Sequence, residues 1–165
     1  MGAGKSTVGR KLAKKLGLKF FDSDQEIENR TGASINLIFE IESESGFRKR
    51  ESEIIDELTK HPDIVLATGG GAVLDSLNRE YLVERGLVVY LRTDIKKLMK
   101  RISRDNKRPL LNNDDPEKKM KELLETRVVF YEDMADLVVD TDHLTVPKIV
   151  DKISRFRIKQ CESLQ

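Results

Sequence analysis

The sequence predicts an α/β fold, a layout of parallel strands joined by crossover helices. Three observations carry it. Short runs of Val, Ile and Leu alternate with longer amphipathic stretches. The two clearest runs, residues 64–68 and 87–91, are apolar throughout, which suits strands covered on both faces. The chain also opens with Met-Gly-Ala-Gly-Lys-Ser-Thr, a glycine-rich turn directly ahead of a helical pattern.

Taken in order, residues 5–16 read as a helix closed by Gly17 as its C-cap. A weak strand at 19–21 leads to a helix at 24–30, stopped by Thr31 and Gly32. The longest helical pattern, 34–60, is expected to break near Ser45 and Gly46. After the strand at 64–68 come a helix at 76–85, the strand at 87–91 and a helix at 95–104. Residues 105–116 are polar and without periodicity, and read as a mobile loop. A helix at 117–134, a weak strand at 137–140 and a final helix from about 146 complete the pattern. Thr145 ahead of Pro147 suits a helix start.

Composition narrows the function classes. A chain of 165 residues is the size of one domain with a sizeable core. Thirty basic residues against twenty-nine acidic ones leave a net charge of +1, so no overall field draws the protein to nucleic acid or an anionic membrane. An anion must be held by local arrangement. The single Cys161, in a polar tail, excludes an internal disulfide or cysteine metal cluster and suits a reducing cytosol. No apolar run approaches the roughly 18 residues of a membrane span, and there is no signal-peptide pattern, which makes the cytoplasm the expected location.

Five stretches carry candidate chemistry. Gly2, Ala3, Gly4, Lys5, Ser6 and Thr7 supply the end of the phosphate-binding pattern G-x-x-x-x-G-K-[ST]: glycines turn backbone N–H groups onto phosphate oxygens, Lys neutralises charge and Ser reaches Mg²⁺. Asp22 and Asp24 flank Ser23 at the end of a strand, where ligands of open α/β sheets bind; one carboxylate can face a metal and the other a substrate, and Ser23 or Asp24 could equally cap the next helix. Arg48 and Glu51 share a helix face, so the glutamate can hold a guanidinium that grips a carboxylate; as an isolated motif this is a solvated charge run. Gly69, Gly70 and Gly71 end the strongest strand and let a ligand approach the main chain. Arg108, in the long loop, and Arg127, on the helix after it, could stabilise a phosphoryl group or remain on the surface.

In this order and spacing the stretches resemble the shikimate kinase family: Gly-Ala-Gly-Lys-Ser-Thr-Val-Gly-Arg-Lys-Leu-Ala, Phe-Asp-Ser-Asp with Glu26, Ile27 and Arg30-Thr-Gly, Ile38-Phe-Glu, Gly46-Phe-Arg with Glu51, the triple glycine, and Arg108-Pro-Leu. The resemblance implies a three-layer P-loop kinase fold with a central parallel sheet flanked by helices. It implies one domain over 1–165, with substrate-binding helices at about 23–60 and a lid at about 104–116. The implied activity is ATP-dependent phosphorylation of the 3-hydroxyl of shikimate, with Mg²⁺. Lys5 would contact the transferred group, Ser6 ligate the metal and Asp22 assist through its water shell. Asp24 would bind the hydroxyl and act as, or orient, the base. Arg48 and Arg127 would clamp the carboxylate, Gly69, Gly70 and Gly71 close around the ring, Arg108 act from the lid, and Arg101 with the loop at Thr141 and Asp142 border the adenine. The implied partner is the small-molecule substrate alone, bound by a monomer.

Val129 stands where the family commonly has Pro. The larger departure is at the start: the strand leading into the phosphate loop, central in a family sheet ordered 2-3-1-4-5, is not in the sequence. At about 4.8 Å per strand spacing its loss leaves a slot of roughly 10 Å between two unpaired edges. An N-terminal extension encoded ahead of Met1 is therefore expected. A related small-molecule kinase acting on gluconate or a nucleotide, a non-catalytic nucleotide- or shikimate-binding protein, and an inactive fragment are the alternative readings.

Overall fold

The computed structural model describes residues 2–102 and 116–163. α1 (Lys5–Leu16) starts from Gly4 and ends on Gly17, which adopts the left-handed conformation (φ 68°) and returns its N–H to the Ala13 carbonyl. That cap turns the chain straight into β1 (Lys19–Asp22). Gly9 faces β1: a Cβ there would lie 2.6 Å from the Phe20 ring, so glycine lets α1 seat closely on the strand.

α2 (Ser23–Thr31) follows without a linker. Its N-cap is Asp22, whose carboxylate accepts from the Asp24 N–H at 3.2 Å. The cap is thus one residue earlier than Ser23 and two earlier than Asp24, because the chain leaves the strand in extended geometry at Asp22 and is helical from Ser23. Gly32, again left-handed, closes α2.

α3 (Ile35–Thr59), capped by Ser34, carries a kink at Ser43, where φ is 65°. The expected break at Ser45 and Gly46 is displaced by two residues. Gly46 is instead a spacer: the kink folds Glu42 against it, so that a Cβ on Gly46 would sit 2.4 Å from that of Glu42. Two hydrogen bonds of 2.7 and 2.8 Å between Arg50 and Glu42 then bridge the kink.

β2 (Ile64–Ala67) pairs in parallel with β1, Phe20 opposite Val65 and Asp22 opposite Ala67. A short 3₁₀ turn (Ala72–Leu74) and α4 (Ser76–Arg85), capped by Asp75, lead to β3 (Val89–Arg92). α5 (Ile95–Ile102) and α6 (Pro116–Met134) precede β4 (Leu137–Asp140), which pairs in parallel with β3, Leu91 opposite Val139. α7 (Val146–Ser163) ends the fold, and the polar tail with Cys161 continues this helix. The lid expected at 104–116, with Arg108, lies outside the described residues but for Pro116. Arg101 falls in α5.

The described strands form two separate two-stranded parallel sheets, β1-β2 and β3-β4, each with its own core. Ile27, Ile38, Phe47, Ile54 and Leu58 pack beneath the first, joined by Ile64 and Leu66. Val8 and Leu12 of α1 meet Leu91, Val139 and Ile149, Val150 and Ile153 of α7 beneath the second, and Val65 joins them from β2. Between the facing edges of β2 and β3 lies a cavity of about 410 Å³, walled by Val8, Leu12, Leu66, Val89 and Leu91 and reaching Ala3 and Lys5. This is the slot anticipated between the two halves. It also corrects the expectation that both clear strands are covered on both faces: Ile64, Val65, Leu66, Val89 and Tyr90 are only partly buried, because their edges look onto the cavity.

A strand of Val and Ile fused ahead of Met1 is predicted to fill this slot. Each buried side chain contributes about 1.5–3 kcal/mol, offset by about 1–2 kcal/mol per residue of lost backbone freedom, for a net gain of a few kcal/mol and a melting temperature higher by roughly 5–10 °C. Thermal melts followed by circular dichroism check this, with a Ser/Asp fusion of equal length expected to give no rise.

Candidate active site

The site is built where β1 and β2 end. On one side, the first turn of α1 has no side-chain cap, and Gly4, at φ 87°, leads the chain into it. Gly2 is also left-handed, at φ 67°. These conformations are what the sequence pattern requires of a phosphate cradle. The Ser6 hydroxyl donates to Asp22 Oδ2 at 2.6 Å, so the two residues singled out for a metal are already adjacent. Lys5 lines the cavity together with Thr68, Gly69 and Gly70. Thr7 is exposed on α1.

On the other side, α2, α3 and α6 converge on the glycine run. The Gly69 N–H donates to Ser23 Oγ at 3.0 Å, and Ser23 is fully buried between the two aspartates. A Cβ at Gly69 would lie 2.4 Å from Glu51 Oε1 and 2.8 Å from Asp24 Oδ1; one at Gly71 would lie 2.3 Å from Arg48 Nη2. What constrains Gly69 and Gly71 is space and not backbone conformation: Gly71 has φ −93°, and Gly69 does not have positive φ. The side chains that crowd them belong to the protein itself.

Arg48 and Glu51 are not a surface charge run. Glu51 is wholly inaccessible and accepts from Arg48 Nη1 at 2.6 Å, while Glu44 holds the other side of the guanidinium at 2.9 Å. Burial pushes the Glu51 carboxyl above its usual range; Arg48 opposes the rise, Asp24 reinforces it and Arg127 opposes it. The Arg48 guanidinium, which burial alone would make less basic, is held above its ordinary value by Glu51 and Glu44. Arg127 is 7% exposed, and its Nε is buried with no hydrogen-bond partner among the described residues.

Sequence reading missed two members of this cluster. Ser23 was weighed only as a cap, yet its hydroxyl fixes the glycine run. Tyr131, one helical turn beyond Arg127, donates its hydroxyl to the Gly70 carbonyl at 2.5 Å. The four-residue spacing from Arg127 was the available signal. In the loop expected to border the adenine, Thr141 bonds Thr93 at 2.6 Å, and Asp142 accepts from the Asp94 N–H at 3.2 Å.

A family model for shikimate kinase matches residues 1–157. The chain is 53% identical over 153 residues to the shikimate kinase of Alteromonas mediterranea, spanning 93% of this chain and 90% of that one. It is 51% identical over 156 residues to that of Legionella pneumophila, spanning 94% and 89%. The chain belongs to the shikimate kinase family. Among solved structures, the Acinetobacter baumannii shikimate kinase in complex with shikimate superposes with a TM-score of 0.93 at 46% identity, over 97% of this chain and 89% of that one. The Aquifex aeolicus shikimate kinase gives 0.81 at 30% identity, over 98% and 93%. Shikimate kinases are enzymes that use ATP as phosphate donor, and the P-loop α/β fold stands with these neighbours.

Glu51→Gln is predicted to change the pH dependence of stability. Below the ordinary glutamate value of 4.5, Glu51 is protonated in both folded and unfolded chains. As pH rises past that value the unfolded chain releases the proton first, so the folded state loses relative stability until its own raised pKa is passed. The stability of wild type minus that of Glu51→Gln should therefore fall with rising pH across that window and then level off. Urea melts at pH 4 to 8 check the sign; a difference that grows with pH contradicts it.

Proposed function

We propose that this chain transfers the γ-phosphoryl group of ATP to the 3-hydroxyl of shikimate. The observation that carries the reading is the convergence of Asp24, Arg48, Glu51 and Arg127 on one glycine turn that lines the cavity together with Lys5. A small polyhydroxylated acid needs a hydroxyl acceptor beside two guanidinium groups, and few other arrangements put both next to a phosphate loop.

In this reading Asp24 accepts or orients the 3-hydroxyl proton, and Arg48 and Arg127 fix the carboxylate. The backbone of Gly69, Gly70 and Gly71 closes on the ring. The N–H groups of Gly2, Ala3, Gly4 and the start of α1 hold the phosphates, with Thr7 nearby and Lys5 on the transferred group. Phosphoryl transfer through a loose transition state asks mainly for positioning and charge stabilisation, which these groups supply. Arg108 is assigned to the transferred phosphoryl from the lid, and Arg101 with Thr141 and Asp142 to the adenine.

Ser6 and Asp22 fit Mg²⁺. The ion takes few protein oxygens beside water and phosphate oxygens, and a hydroxyl already 2.6 Å from a carboxylate is such a donor pair. When bound there with the nucleotide, it would neutralise phosphate charge. No described helix is long and apolar enough to cross a membrane. A monomer in the cytoplasm, with no nucleic-acid partner, completes the proposal.

ADP release from Mg²⁺-ATP, measured with shikimate, with gluconate and with neither, tests the reading: stimulation by shikimate alone is expected, and stimulation by gluconate alone contradicts it. Asp24→Asn should lower turnover by roughly 10²–10⁴-fold with the fold retained, because an amide takes no proton from the hydroxyl. Near-normal turnover would remove Asp24 from the mechanism. Gly71→Ala puts a methyl where Arg48 Nη2 now lies, and the flexible guanidinium must yield. Shikimate binding should weaken about 10- to 100-fold, as for a misplaced charged hydrogen bond, with melting temperature little changed. Calorimetry gives both quantities.

A further inference from the structure

α6 reaches the glycine turn with two groups besides Arg127. The Phe130 ring lies 4.5 Å beneath the Arg79 guanidinium, and Arg79 donates to the Val73 and Leu74 carbonyls at 2.7 and 3.2 Å. Next to it, Tyr131 donates to the Gly70 carbonyl, and its ring stacks on Tyr90 of β3 with centroids 5.1 Å apart. Phenylalanine would fill that ring site equally well. A hydroxyl in so enclosed a place is unfavourable unless it is bonded, and here it is bonded to the middle of three side-chain-free residues. Burial also raises the phenol's pKa, against the lowering effect of the neighbouring Arg127.

Glycine backbone is the most freely moving of any residue type, and here three glycines stand in succession beside the two arginines. Ser23 pins the first of them and Arg48 packs against the third. The middle carbonyl is held from α6.

We propose that Tyr131 is a positioning residue that locks the glycine turn to α6, so that Arg127 and the Gly70 backbone present one rigid surface to a carboxylate-bearing substrate. The inference rests on the reading of Arg127 as a carboxylate clamp. Substrate then meets a turn already ordered and does not have to order it on binding.

The test is Tyr131→Phe, which keeps the ring stack and removes only the hydroxyl. Amide hydrogen exchange at Gly69, Gly70, Gly71 and Ala72 should accelerate about tenfold, the size expected for one lost buried hydrogen bond, with β2 and α7 unaffected. Shikimate affinity should fall by a similar factor, with kcat and the KM for ATP within about twofold. A purely structural role would instead lower the melting temperature and speed exchange throughout. Unchanged exchange at the turn, or uniform acceleration, overturns the proposal whether or not shikimate binds. Arg127→Ala is measured in parallel: normal shikimate affinity there removes the clamp reading, while the exchange data still decide Tyr131.

Discussion

The acceptor side of the site depends on a backbone that has given up its side chains. At Gly69 the space of a Cβ is taken by oxygens of Glu51 and Asp24, and at Gly71 by the Arg48 guanidinium. These groups come from α2 and α3, and a bare main chain lets both carboxylates and the guanidinium approach the same turn. Removing the Glu51 carboxylate from water costs several kcal/mol, and the 2.6 Å bond from Arg48 offsets part of that cost while burial still holds its pKa up.

The candidate site residues are divided between two halves of the fold. Asp24, Glu51 and the glycine turn belong to the β1-β2 unit, whereas the loops after β3 and β4 carry Asp94, Thr141 and Asp142. α1 joins them. Its Gly9 face seats on Phe20 of β1, while Val8 and Leu12 enter the core beneath β3 and β4. The glycine turn that precedes Lys5 and Ser6 is the N-terminal end of that same helix. Its distance from Asp24 is therefore set by how α1 packs across the cavity, and in-line phosphoryl transfer is sensitive to that distance.

Much of this was legible because the signals were local. Gly17 and Gly32 announced helix ends since each must adopt positive φ, and both do. The apolar runs at 64–68 and 87–91 became β2 and β3 within two residues. Gly46 misled for a related reason: glycine marks either a backbone need or a spatial one, and only packing tells which. Here it makes room for Glu42, and the turn falls at Ser43, whose type gives no warning. Glu51 could not be told from its charged neighbours because burial of one residue in Arg48-Lys-Arg-Glu51 is decided by α2 and the distant glycine turn. Tyr131 was hidden likewise, its partner 61 positions away in the chain.

The cluster also makes Arg48 and Arg127 unequal, which no spacing could show. Arg48 is already held by Glu51 and Glu44, so much of its charge is compensated before any substrate arrives. Among the described residues no ion pair holds Arg127, and its Nε has no acceptor although the side chain is almost wholly buried. A buried guanidinium with an unmet donor is costly in the empty site, and a carboxylate relieves that cost. Arg48 is fixed at 2.6 Å to an inaccessible glutamate, whereas Arg127 acts on that same carboxylate only through its field.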